Sequence, residues 1–164
     1  KDDSGGPTNF GVSLRWLKSI EDDDDDGWLD GDFDHDGDVD VDDIRKMTMT
    51  DAVRLYKRQW WDRYSYDKLP GWVGFKTFDF SINMGPGRAH RLLQEALRTC
   101  GEKVKVDGKL GPKTLEAAGR CAELPLLLAL MQAAMQFYIR ISIRRPENMK
   151  FLAGWGNRVF SLGR

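Results

Sequence analysis

Between residues 32 and 43 the chain reads D-F-D-H-D-G-D-V-D-V-D-D. Carboxylates at alternate positions of a curling loop converge on one point, and calcium takes six to eight such hard oxygens. The spacing is that of an EF-hand loop, with oxygen ligands at positions 1, 3, 5, 7, 9 and 12 and glycine at position 6. It predicts a Ca2+ site with side-chain ligands from Asp32, Asp34 and Asp36 and a backbone carbonyl from Asp38. Asp40 would act through a water, and Asp43 would close the shell. Gly37 permits the sharp turn, and Val39, in eighth place, is the apolar residue that would anchor the loop. Asp43 stands where glutamate is usual, and its shorter reach toward bidentate contact predicts modest affinity. The opposing reading is a solvated acidic run. It suits Asp22–Asp26 better than Asp32–Asp43, where glycine, valine and alternation share one register. A second register from Asp22 to Gly27 has Phe33 in its twelfth place and is not a complete site.

The acids are unevenly spread. Residues 21–43 hold fourteen of the chain's 26 Asp and Glu and no Lys or Arg, which leaves twelve acids against all 25 bases elsewhere. A body so charged is drawn to anionic polymers such as cell wall, lipopolysaccharide or nucleic acid. No aromatic-basic module for nucleic acid is visible, so nucleic acid is not expected as a partner. Cys100 and Cys121 are too few for a disulfide scaffold and could pair or stay free. The most apolar stretch, residues 124–143, is interrupted by Gln132, Gln136 and Arg140 and reads as a core helix, not a membrane span. No signal peptide is expected, and the chain begins at Lys1 instead of Met.

The elements that must position these groups are mostly helical. Residues 3–13, D-S-G-G-P-T-N-F-G-V-S, hold the glycines, Pro7 and Asn9 of a tight turn or small hairpin. Ser13 would cap a short helix to Ile20. Thr50 would cap the next, with Ala52, Leu55, Tyr56, Gln59, Trp60, Arg63 and Tyr64 on one face. Pro70-Gly71 breaks the chain ahead of a helix over 72–84. Gly85-Pro86-Gly87 is a hinge before another over 88–100. Pro112 opens a helix after the turn at 106–111. A long helix runs over 124–144 until Pro146, and a shorter one over 147–162. The expectation is a mostly α single domain over 1–164, with a first part, residues 1–84, that carries the acidic loop and a second part, residues 85–164.

Several of these stretches together resemble one family. D-S-G-G-P-T-N-F-G-V-S, the run T-D-A-V-R-L-Y-K-R-Q-W-W at Thr50–Trp61, F-D-F-S-I-N-M-G-P-G-R-A at Phe78–Ala89 and L-L-Q at Leu92–Gln94 are similar to glycoside hydrolase family 108, the phage and bacterial N-acetylmuramidases. V-D-G-K-L-G-P-K-T at Val106–Thr114 and G-W-G-N-R-V at Gly154–Val159 resemble that family's peptidoglycan-binding part. The resemblance covers nearly everything except residues 21–43. It implies a lysozyme-like helical fold and cleavage of peptidoglycan between N-acetylmuramic acid and N-acetylglucosamine, by a monomer acting in the periplasm or cell wall.

That chemistry needs a carboxylic acid to protonate the leaving oxygen and a second polar group to hold water or stabilise the oxocarbenium-like transition state. The resemblance implies that the acid is the glutamate of an E-G-G sequence upstream of Lys1, Asp3 the second carboxylate, and Thr8 the residue that orients the attacking water. Asp3 and Thr8 equally suit the stitching of a turn. Asn83 would hydrogen-bond sugar at a cleft or cap a helix end. Asp79 reads as a buried, hydrogen-bonded core acid. Trp60, Trp61, Trp72 and Trp155 read as core packing before sugar stacking. His35 and His90 show no partner spacing. The rival reading is a non-catalytic, calcium-dependent peptidoglycan-binding module, and a dockerin-like adaptor would need two complete loops.

Overall fold

The computed structural model describes residues 6–20 and 29–162, in two compact units, Lys1–Arg58 and Gln59–Arg164. The first unit opens with an antiparallel hairpin of β1 (Thr8–Asn9) and β2 (Val12–Ser13), with Thr8 opposite Ser13 and Asn9 opposite Val12. Phe10 and Gly11 form its two-residue turn with φ of 47° and 80°. Two positive φ values give the turn whose twist matches that of the strands. Glycine adopts them freely, whereas a bulky residue such as Phe10 does so rarely.

Ser13 caps α1 (Leu14–Leu17), its hydroxyl accepting the Trp16 N–H at 3.3 Å. The helix is shorter than the sequence suggests. After the acidic loop come α2 (Val41–Lys46) and α3 (Met49–Tyr56). The cap of α3 is Thr48, not Thr50. The Thr48 hydroxyl accepts the Asp51 N–H at 3.2 Å and the Asp51 carboxylate accepts the Thr48 N–H at 2.9 Å. This is a reciprocal capping box with Asp in place of Glu. Val12, Leu17, Ile44, Met47, Ala52 and Leu55 form the unit's core, and Val39 packs at its edge, as an anchor for the acidic loop should.

Lys57–Asp62 forms a π-helical turn, so the single face expected from Ala52 to Tyr64 does not continue unbroken. In the second unit a 3₁₀ turn, Tyr66–Lys68, precedes α4 (Gly71–Met84), α5 (Pro86–Thr99), α6 (Pro112–Arg120) and the long α7 (Glu123–Arg144). A 3₁₀ segment, Pro146–Phe151, then leads into α8 (Leu152–Phe160). Gly85, at φ 83°, ends α4, and Pro86 starts α5 where its missing N–H has no partner to lose. α7 packs against α4, α5 and α8, and Phe80, Leu92, Leu93, Leu97, Leu126, Leu130 and Tyr138 are buried between them. The chain is mostly helical with a small two-stranded sheet, as the sequence predicts. Trp60, Trp61 and Trp155 lie partly buried against this core. Trp72 does not: it is 48% exposed, at the first turn of α4 and edge-on to Phe75.

Candidate functional site

In the first unit the acidic loop folds back on its own backbone. Asp32, 3% exposed, accepts the Asp36 N–H at 3.2 Å and the Gly37 N–H at 2.9 Å. Asp43, 1% exposed, accepts the Phe33 N–H at 2.6 Å and the Asp34 N–H at 3.3 Å on one oxygen, and the Asp40 N–H at 2.7 Å on the other. Position 12 therefore closes the loop in this structure through amides at positions 2, 3 and 9. Asp40 accepts the Asp42 N–H at 2.6 Å and caps α2. Gly37 has φ 99° and open space where a Cβ would stand, so glycine serves the backbone turn there and not a close contact.

The carboxylates gather in two groups. Oxygens of Asp32, Asp34 and Asp36 lie within 4.8 Å of one another, and so do those of Asp38, Asp40 and Asp43. Lys46 reaches Asp34 Oδ2 at 2.9 Å and holds Asp34 below the ordinary carboxylate range. Asp38 is held above that range, first by the charge of Asp36, then by burial and Asp40. Asp34 Oδ1 is buried and has no hydrogen-bond partner among the described residues. An orphaned carboxylate oxygen among hard oxygens is what a divalent cation satisfies, so the donor set fits calcium at Asp32, Asp34 and Asp36.

The hairpin is tied to the far end of the same helix. Asn9 Nδ2 donates to the Ile44 carbonyl at 3.0 Å and to the Met47 carbonyl at 3.3 Å, both at the C-terminal end of α2. α2 is thus held by Asp43 and Asp40 at its start and by Asn9 at its end. Thr8, beside Asn9, is exposed and donates to the Gly6 carbonyl at 3.1 Å. Asp3 lies outside the described residues. Alongside the loop is a cavity of about 360 Å³ whose walls include Asp30, Asp32, His35, Lys46, Arg54 and Arg58.

In the second unit the loop at 106–111 is held by two buried residues of α5. Gln94, 1% exposed, accepts the Gly108 N–H at 2.8 Å, and its amide group donates toward Asp107 Oδ1 at 2.9 Å, the Lys109 carbonyl at 3.0 Å and Thr114 Oγ1 at 3.3 Å. His90 faces the Gly108 carbonyl through Nδ1 at 3.1 Å and the Tyr66 hydroxyl through Nε2 at 2.9 Å. A carbonyl only accepts, so Nδ1 carries the proton and Tyr66 donates to Nε2. Burial pushes His90 below its ordinary pKa. Gly108 sits at φ 79°, where a Cβ would lie 2.7 Å from the Gly87 carbonyl oxygen. Spacing alone hid His90, because its partners lie 18 and 24 residues away.

Asn83 is exposed on the last turn of α4 and accepts the Tyr138 hydroxyl at 2.6 Å; it does not cap the helix end. Asp79 is not the buried core acid expected. It is partly exposed and pairs with Arg158 at 2.5 Å and with the buried Lys76 at 3.3 Å. Lys76 also donates to the Arg158 and Ser161 carbonyls, which fastens the end of α8 to α4.

A family model described as glycosyl hydrolase 108 matches residues 1–85, and one described as "Predicted Peptidoglycan domain" matches residues 88–160. The two meet at the Gly85–Gly87 turn between α4 and α5. Among solved structures the chain is similar to one described as "Structure of Brucella abortus SagA", with 27% identity over 99% of this chain and 84% of that one and a TM-score of 0.65. A comparison with curated proteins finds no match.

Proposed function

The chain belongs to the glycosyl hydrolase 108 family and is a peptidoglycan hydrolase; from that premise we propose that it is a calcium-stabilised N-acetylmuramidase. The observation that carries the calcium part is a continuous set of contacts: Asp34 Oδ1 with no partner among the described residues, Asp43 at the start of α2, and Asn9 at its end. A cation drawn to the loop carboxylates draws on the same groups that orient α2, and α2 holds the hairpin that presents Thr8. In this reading Thr8 orients the attacking water, Asp3 is the second carboxylate, and Asn83 offers its amide nitrogen to the glycan. Asp32, Asp34, Asp36, Asp38 and Asp43 hold the ion. Residues 1–84 do the chemistry and residues 85–164 bind the polymer. No Glu-Gly-Gly sequence occurs among the 164 residues.

Melting curves in millimolar calcium and in chelator test the metal. A ligand that binds only the folded form stabilises by about 2.7 kcal/mol at a hundredfold excess over Kd, which for this length raises Tm on the order of 5–10 °C. Asp32→Ala/Asp36→Ala should abolish the shift, and no shift in the native chain returns the segment to a solvated acidic run. For the chemistry, release of reducing sugar from purified sacculi is compared for the native protein and Thr8→Ala. A catalytic Thr8 lowers turnover at unchanged Tm, whereas parallel losses of activity and stability assign it to the turn. Sedimentation with sacculi without sugar release would make the chain a calcium-dependent binding module.

A further inference from the structure

The outward face of α7 carries exposed apolar residues that no described residue covers. Leu124 is 63% exposed, Leu128 56%, Ile139 39% and Ile143 72%. Spacings of 4, 11 and 4 residues place the four along one side of the helix. The stripe continues past the helix end, where Met149 is 56% and Phe151 48% exposed. Scattered exposed apolar residues are normal on a soluble protein, but a contiguous patch marks an interaction surface.

Cations surround the C-terminal half of this stripe. Arg140 and Arg144 flank Ile139 and Ile143 one turn apart, Arg145 follows, and Lys150 lies over the Phe151 ring at 4.9 Å. None of the four makes an ion pair among the described residues, although Arg45, Arg54, Arg58, Arg120 and Arg158 all do. Like charges one helical turn apart repel. Glu147 is the one acid between residues 139 and 151. The unit as a whole, residues 59–164, holds 17 bases against nine acids.

We propose that the corner formed by the C-terminal half of α7 and the Pro146–Phe151 segment docks on an anionic lipid bilayer, with Ile139, Ile143, Met149 and Phe151 entering the headgroup boundary and Arg140, Arg144, Arg145 and Lys150 meeting lipid phosphates. Apolar side chains interleaved with unpaired cations are the composition of an interfacial element that lies on a membrane. A second copy of this chain would bring four further cations against these four, so the charge favours an anionic surface over self-association. The 22-residue α7 is long and apolar enough to cross a bilayer by length and composition, but its inner side is the core of the unit. It therefore lies on the surface. Such docking would hold a wall hydrolase at the membrane–wall boundary, and it does not depend on the peptidoglycan reading.

The test is co-sedimentation of the full chain with vesicles of phosphatidylglycerol and phosphatidylcholine, and with phosphatidylcholine alone. Binding is expected to the anionic vesicles only and to weaken with salt. Ile143→Glu/Phe151→Glu should abolish it. Arg140→Gln/Arg144→Gln/Arg145→Gln should lower the partition coefficient on the order of a hundredfold, since each basic side chain near an anionic surface contributes about a factor of five. All these positions are exposed, and circular dichroism with an unchanged Tm verifies that the variants fold. Absence of binding to anionic vesicles at low salt overturns the proposal, as does equal binding by Ile143→Glu/Phe151→Glu. A concentration-dependent dimer in sedimentation velocity, lost in that variant, would also overturn it by giving the face to a second copy.

Discussion

Gln94 is one side chain that takes the place of a regular element. Its amide meets four groups of the loop and of the start of α6, and its burial leaves no water to replace them. Gln94→Ala should therefore cost about 3 kcal/mol in urea unfolding, through buried groups left unpaired. His90 contributes a pH dependence. Its folded pKa lies below the ordinary 6.5 because burial disfavours the charged form, so the unfolded chain binds the proton more readily. Stability from this group is fully present above about pH 6.5 and falls as the pH drops below it. His90→Gln should flatten the slope of Tm against pH between 7 and 5, while its amide can still donate to Gly108 and accept from Tyr66. Little of this was legible in the sequence. Leu92–Gln94 stood out as a motif, but the glutamine's task depends on a loop fourteen residues away that only the folded chain brings beneath it.

α2 shows how far sequence signals reach along an element. The glycines around Pro7 and Asn9 announced the hairpin, and the alternating acids announced the loop, because both are local patterns. The link between them was not announced: it is a through-space bond from Asn9 to carbonyls 35 and 38 residues away. That link makes a prediction. Asn9→Ala should cost about 1–2 kcal/mol by freeing two helix-end carbonyls. It should also make the hairpin indifferent to calcium, so that the calcium-induced change in the amide NMR signals of Thr8 and Val12 disappears while those of Asp36 and Gly37 still shift. A cap shifted from Thr50 to Thr48 is the ordinary uncertainty of two nearby hydroxyl side chains. The π turn at Lys57–Asp62 and the exposure of Trp72 left no pattern to read, since a helical period does not record where a turn widens or which aromatic ring stays uncovered.

At the scale of the whole chain, charge divides as the compact units do. Residues 1–58 hold 17 acids and eight bases, and residues 59–164 hold nine acids and 17 bases. Association with an anionic wall should then be carried by the second unit, and exposed charges are screened within about 8 Å at physiological salt. Binding to purified sacculi should weaken at least tenfold between about 50 mM and 500 mM salt. Lys113→Gln/Arg98→Gln should lower the low-salt affinity more than neutralising Arg15 and Lys18 in the first unit. In this half Pro and Gly punctuation placed α4, α5 and α7 to within two residues, whereas the last expected helix, 147–162, is a 3₁₀ segment followed by the shorter α8. The division of the chain at 58/59 was not legible: the sequence reading parts the chain at 84/85, where the two family models meet, inside the second compact unit.

The loop between α5 and α6 has no helix or strand, and several of its side chains are exposed. Hydrogen exchange would nevertheless divide it. The Gly108 N–H donates to Gln94, whose position is set by the buried face of α5. That proton is released to deuterium only when α5 itself opens, whereas amides of a loop held by fewer bonds exchange by local fraying. Gly108 would keep time with Leu93 and Leu97 and not with its neighbours Lys103 and Lys105, so that by the clock of exchange an irregular loop contains one residue of the core.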